Sequence, residues 1–149
     1  MTIQNNRIPE VKAAVEQGIK VGLTAAGMGI HGQAVMLAPV LTGNLKGSLS
    51  WTIGGKVGGL NDSRGGKPKD TPKNATPSDG VRASTPSDVV YVGTNVEYAQ
   101  RVEYRLKTEE GVTRSGGYLR PAYDIMKDRI PRLMGKDIRR ILQQRGLAR

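Results

Sequence analysis

The chain has 149 residues, with 23 lysines and arginines against 13 aspartates and glutamates for a formal net charge of +10, 37% hydrophobic and 4% aromatic residues, no Phe and no Cys. That length suits one domain. The missing cysteine excludes disulfides, thiolate metal sites and a cysteine nucleophile, and the lone His31 excludes a histidine-rich metal centre.

Residues 1–7 place no apolar run behind a basic start, so no secretory signal is predicted. From residue 9 to about 37, Val11, Val15, Ile19, Leu23, Ala26, Ile30 and Ala34 recur every three or four positions, which predicts one long helix. Pro9 suits its first turn, Asn6 or Arg7 lies near its cap, and Pro39 ends it by disfavouring helical backbone at Ala38. Gly18, Gly22, Gly27, Gly29 and Gly32 each weaken such a helix by about 1 kcal/mol relative to alanine. Their number implies close packing against a sheet or a neighbouring subunit, or a break near residues 27–32. His31, in that stretch, reads as a surface or interface residue. Residues 34–41, the longest nearly unbroken apolar run, fall far short of the roughly 18 needed to span a membrane.

In residues 48–53, Leu49, Trp51 and Ile53 alternate with Ser48, Ser50 and Thr52, which predicts a half-buried strand anchored by Trp51 with the hydroxyl side chains outward. Residues 54–88 hold seven of the 20 glycines and four of the eight prolines and few apolar side chains, so they read as a long flexible excursion. Its cations Lys56, Arg64, Lys67, Lys69, Lys73 and Arg82 suit phosphate or an acidic partner, diluted by Asp62, Asp70, Asp79 and Asp88. Residues 89–92, apolar on both faces and β-branched, predict a more central strand that closes a long-looped hairpin with the Trp51 strand.

Asn95 is placed to cap a short helix over residues 96–102, with Tyr98 and Val102 on one face. Residues 104–107 and 112–114 read as a second, polar hairpin. A final amphipathic helix starts at Pro121 and ends before Gly146, and Pro131 should kink or divide it. Strands between terminal helices predict an α+β fold, an antiparallel sheet packed against a long N-terminal helix and a C-terminal helix.

The charge is uneven: residues 1–51 carry +2, 52–88 carry +2, 89–124 carry 0 and 125–149 carry +6. Arg132, Lys136, Arg139 and Arg140, with the cations of the excursion, are therefore the candidates to face DNA or an acidic partner. No phosphate-binding loop, zinc-protease helix, nucleophile elbow or EF-hand loop occurs, and nothing orients Glu97, Glu103, Glu109 or Glu110 as an acid–base pair. The sequence thus nominates no catalytic, cofactor-binding or metal-binding residue.

Three separated motifs carry a resemblance. APVLTGNLKGS at residues 38–48, VGTNVEYAQRVEY at 92–104 and YLRPA at 118–122 resemble, in order and between two helices, the tail-completion family of long-tailed bacteriophages. The family pattern maps onto Pro39, Thr42, Gly43, Leu45, Ser48, Gly93, Tyr98, Ala99, Glu103, Leu119, Arg120 and Pro121. Each has a fold-specifying reading: Pro39 stops the helix, Thr42 caps the next turn and Gly43 permits the reversal. Leu45 anchors the turn, Tyr98, Val102 and Tyr104 seat the short helix, and Pro121 begins the last one. The chain departs from the family at Arg105-Leu106, where Gly-Thr is usual.

The resemblance implies a non-enzymatic structural protein of the virion neck, assembled in the host cytoplasm. It would form a homo-oligomeric six-fold ring, with other neck proteins and the tail tube protein as partners, DNA passing through the lumen and no membrane. Closed rings need two different complementary patches on each subunit. The charge alone supports a second reading, a basic nucleic-acid-binding accessory protein using the C-terminal helix.

Overall fold

In the computed structural model, residues 6–39, 44–58, 86–94, 96, 98–104 and 117–148 are described. The helical period of the first stretch becomes one helix without a break at its glycines, α1 (Ile8–Leu37), about 45 Å long. Arg7 is its N-cap and Pro9 lies in its first turn, while Asn6 Oδ1 accepts the Ile8 N–H at 3.2 Å. At the other end Ala38 turns to extended backbone (ψ 129°), as a residue before proline should, with its N–H still closing on Ala34 O at 2.8 Å.

The next segment forms a one-turn helix, α2 (Asn44–Ser48), before the strand begins. Ser48 therefore ends a helix instead of opening the strand. The sheet consists of β1 (Ser50–Ile53), β2 (Lys56–Gly58) and β3 (Val90–Gly93) in the order β2-β1-β3, with both neighbours antiparallel to β1. Gly54 and Gly55 have φ of 54° and 77°, the two successive positive values that a two-residue type I′ hairpin turn requires. Residues 54–58 are thus turn and strand, and do not belong to the excursion. Residues 59–85 lie outside the described set, as do Thr42, Gly43, Asn95 and residues 105–116, which include most of the expected second hairpin.

Because β2 takes one side of β1, β1 is the central strand and β3 lies at an edge of the described sheet, the reverse of the expected order. Centrality also changes the burial of β1. Ser50 and Thr52, expected outward, are fully buried along with Leu49, whereas Trp51 is only half-buried. Polarity alternates along this strand, but serine and threonine are small enough to sit in a strand covered on both faces. Trp51 pairs across to Gly58 and Val92, its ring covering Gly58, and with Val90 it lies against Gly27 of α1. A side chain at Gly27 would collide with Val90 Cγ2, so this glycine lets helix and sheet approach.

The short helix α3 (Ala99–Tyr104) starts three residues later than expected. That phase puts Ala99 and Val102 inward and leaves Tyr98 and Tyr104 exposed, so the two tyrosines do not seat it. Beyond residue 117 the chain forms α4 (Leu119–Met126) and α5 (Ile130–Gln144), divided at residues 127–129 with Pro131 in the first turn of α5, as its ring demands. Gly146 at φ 63° ends α5, its N–H bonding to Gln143 O and that of Leu147 to Leu142 O, a Schellman motif.

Both helices run antiparallel to α1, with Ile138 against Gly18, Met134 against Gly22 and Met126 against Gly29. The ends are tied as well, since Arg7 Nη1 donates to Gly146 O at 3.2 Å. Ala34, Ala38, Leu45, Leu49, Ala99, Tyr118 and Ala122 form the core cluster where α1, α2, α3 and α4 meet. The observed fold is α+β, with the antiparallel sheet packed against α1 and the C-terminal helices α4 and α5 also packed along α1.

The α1 glycines separate into two kinds. A Cβ at Gly18 would lie 2.8 Å from the Ile138 Cα, backbone that no rotamer change can clear, whereas nothing lies within 4 Å of one at Gly32. We expect Gly32→Ala to stabilise the protein by about 0.5–1 kcal/mol. Gly18→Ala should destabilise it by about 1–3 kcal/mol through forced helix separation. Urea denaturation midpoints of the two variants would move in opposite directions; a shared direction would refute this packing.

Candidate functional site: the motif junction and the cationic face of α5

The fold brings the three resemblance motifs to one junction. At its first contact, the Ser48 hydroxyl donates to Leu45 O at 3.0 Å and is bonded to the Thr94 hydroxyl, which in turn accepts the Val96 N–H at 3.3 Å. Ser48 has only one proton, so Thr94 is the donor between the two hydroxyls. This relay joins the end of α2 to the chain between β3 and α3.

The second contact is made by Glu103. Its Oε2 accepts the N–H groups of Tyr118 at 2.8 Å and Leu119 at 2.9 Å, and its Oε1 accepts that of Arg120 at 2.9 Å. The first turn of a helix has four N–H groups without an intrahelical acceptor. Here Glu103 takes three, Pro121 has none to satisfy, and Ala122 N closes the first internal bond on Tyr118 O at 3.3 Å. A carboxylate also opposes the positive end of the helix dipole. Gly117 makes room for this contact, because a Cβ there would fall on the Glu103 carboxylate.

Tyr118, 1% exposed, anchors the junction in the core. Burial, the Glu103 charge and then Tyr98 push its phenol up to about 12, so it stays neutral far above ordinary pH. Its hydroxyl has no hydrogen-bond partner among the described residues. Leu45, Ala99 and Ala122 are buried beside it, and Leu119 packs against the cluster. Gly93 pairs with Ser50 at the end of β3, Pro39 is exposed beyond α1, and Arg120 is exposed. His31 Nε2 is 3.1 Å from Leu49 O, so the proton lies on Nε2 and the ring joins α1 to the start of β1.

The second feature is a face of α5. Arg132, Lys136, Arg139, Arg140 and Gln143, all exposed, share one face of the helix, with Lys136 four residues from Arg132 and from Arg140 and three from Arg139, on the side opposite Met134, Ile138 and Ile141. Arg140 meets Asp137 at 3.1 Å. Arg132, Lys136 and Arg139 make no ion pair with a described residue. The other nominated cations, Arg64, Lys67, Lys69 and Lys73, lie outside the described residues. Among the described residues no group of three or more His, Asp or Glu side chains could hold a metal ion, and no described helix is long and apolar enough to cross a membrane. No protein-family model, curated protein or solved structure matches the chain.

Two roles were not evident in the sequence. Glu103 caps a helix that begins 16 residues later, a distance at which no local capping pattern operates. Arg7 closes the C-terminal end of α5 from the start of α1.

Removing the carboxylate in Glu103→Ala leaves three N–H groups without an acceptor and should cost about 2 kcal/mol, with Glu103→Gln losing less. Equal chemical-denaturation midpoints for wild type and Glu103→Ala would contradict that role. For Tyr118 the folded pKa lies above the unfolded value of 10.0, so its neutral form contributes stability that is complete below pH 10.0 and is lost as pH rises toward about 12. Tyr118→Phe should therefore keep or gain up to about 1 kcal/mol at neutral pH. The variant should also lack this alkaline loss when denaturation is compared at pH 7 and 11; an unchanged alkaline slope would place the phenol elsewhere.

Proposed function

We propose that this chain is a non-enzymatic structural protein of a bacteriophage neck, completing the tail and joining the tail tube to the head connector as a subunit of a ring around the DNA conduit. One observation supports the reading above others: the segments that carry the family resemblance are the ones that build the junction. Glu103 of the second motif caps the helix of the third, and Ser48 of the first bonds Thr94 of the second. Motif residues that hold a fold together through backbone hydrogen bonds and core packing suit a protein whose work is assembly, since that role asks for shape and not for a reacting group.

In this reading the partners are further copies of the chain in a six-fold ring, the adjoining neck proteins and the tail tube protein, and the place of action is the virion. Peptide mass spectrometry of purified phage particles should detect the protein at a few copies per particle, and imaging of the neck should find it between connector and tube. Particles that are complete and infectious without it would end this reading.

A further inference from the structure

We propose that the outward face of α5 binds the phosphate backbone of duplex DNA without reading its sequence. Arg132, Lys136, Arg139 and Arg140 place like charges three and four residues apart along one helix face. Such pairs destabilise a helix, and the fold does little to offset them. Among the described residues only Arg140 has a carboxylate partner, Asp137, and no cation lies in the last turn of α5, where the helix dipole would favour it. Lys127, just upstream, is by contrast held by Asp124 at 3.2 Å. An unpaired, self-repelling cationic row is a local cost that an external anion removes.

The composition of the face selects the anion. Protein interfaces are built round an apolar, often aromatic core depleted in charge, and this row contains only cations and Gln143, with Leu133 at its margin. Backbone phosphates need nothing but cations at suitable intervals, and successive residues four apart on α5 rise about 6 Å along its axis. No aromatic side chain lies in the row to stack on unpaired bases, so duplex is favoured over single strands. The inference rests on α5 alone, and the absence of the protein from virions would leave it standing.

The test uses the full chain and a fluorescent duplex of mixed sequence, with binding followed by anisotropy as salt is raised. With four phosphates neutralised, affinity should fall about 100-fold between about 50 and 200 mM salt. The triple variant Arg132→Gln, Lys136→Gln, Arg139→Gln should flatten the logarithmic salt slope by about 3, whereas Lys12→Gln, Lys20→Gln, Arg101→Gln, with the same loss of charge elsewhere, should keep most of it. An unchanged slope in the α5 variant, an equal loss in both variants, or polyglutamate binding as tightly as duplex would each overturn the proposal. Circular dichroism of the variants checks that α5 remains folded.

Discussion

The Glu103 carboxylate is the contact on which the arrangement of layers depends. α4 begins at the edge of the core, with Tyr118 fully buried and Leu119 half-buried, so the free N–H groups of its first turn need an acceptor from the protein as the helix enters the fold. One side chain from α3 accepts the N–H groups of Tyr118, Leu119 and Arg120, and Pro121 removes the fourth requirement. The start of α4 is thereby fixed relative to α3 and the sheet side of the fold. Since α4 leads through residues 127–129 into α5, the line that both helices follow along α1 is set at this point. Gly117 belongs to the same constraint, because a side chain there would displace the carboxylate.

Along that line the chain trades helix propensity for proximity. α1 carries five glycines, each a cost of about 1 kcal/mol to an isolated helix. Gly18 and Gly22 let the α5 backbone come close, Gly27 admits Val90 and Trp51 of the sheet, and Gly29 admits the Met126 side chain. The return is contact between two helices, and between helix and sheet, at a separation larger residues would prevent, with more atoms inside dispersion range. The far ends are closed by polar contacts. Arg7 caps the carbonyls beyond α5, and Arg145 reaches Gln17 across the same pair of helices.

Much of this architecture was legible because it rests on local rules. The period of the long helix, the Pro39 stop, the Pro131 break and the Gly146 end all follow from backbone chemistry within a few residues, and the observed elements agree. The sheet was less legible. Gly54-Gly55 between two short extended runs is itself a hairpin signal, yet in a glycine-rich segment it reads as looseness; recognising it would have placed β2, and so made β1 central. Ser50 and Thr52 misled for a related reason, since hydroxyl polarity suggests an outward face until the strand is known to be covered on both. For the candidate site, the motif residues were identifiable but their partners were not. Glu103 and α4 are distant in sequence, and only the fold makes them neighbours.

The two surfaces of the helical layer differ in a way that bears on what the chain does. On the exposed side of α1, Glu10 and Glu16 alternate with Arg7, Lys12 and Lys20, and Arg7 pairs with Glu10, the mixed pattern of an ordinary solvated helix. On α5 three of the four cations have no ion pair with a described residue, and the pair of Arg140 with Asp137 has its arginine exposed to solvent, which keeps such a pair to about 1 kcal/mol or less. None of these cations takes part in holding α5 to α1, which rests on the buried side of α5 and on the polar contacts of Arg7 and Arg145 at its end. The residues that specify the structure and those that carry the excess charge are thus separate sets on one helix: Met134, Ile138 and Ile141 bind it inward, while Arg132, Lys136 and Arg139 face solvent. A helix divided in this way can present its cations to a polyanion without any change in its own packing.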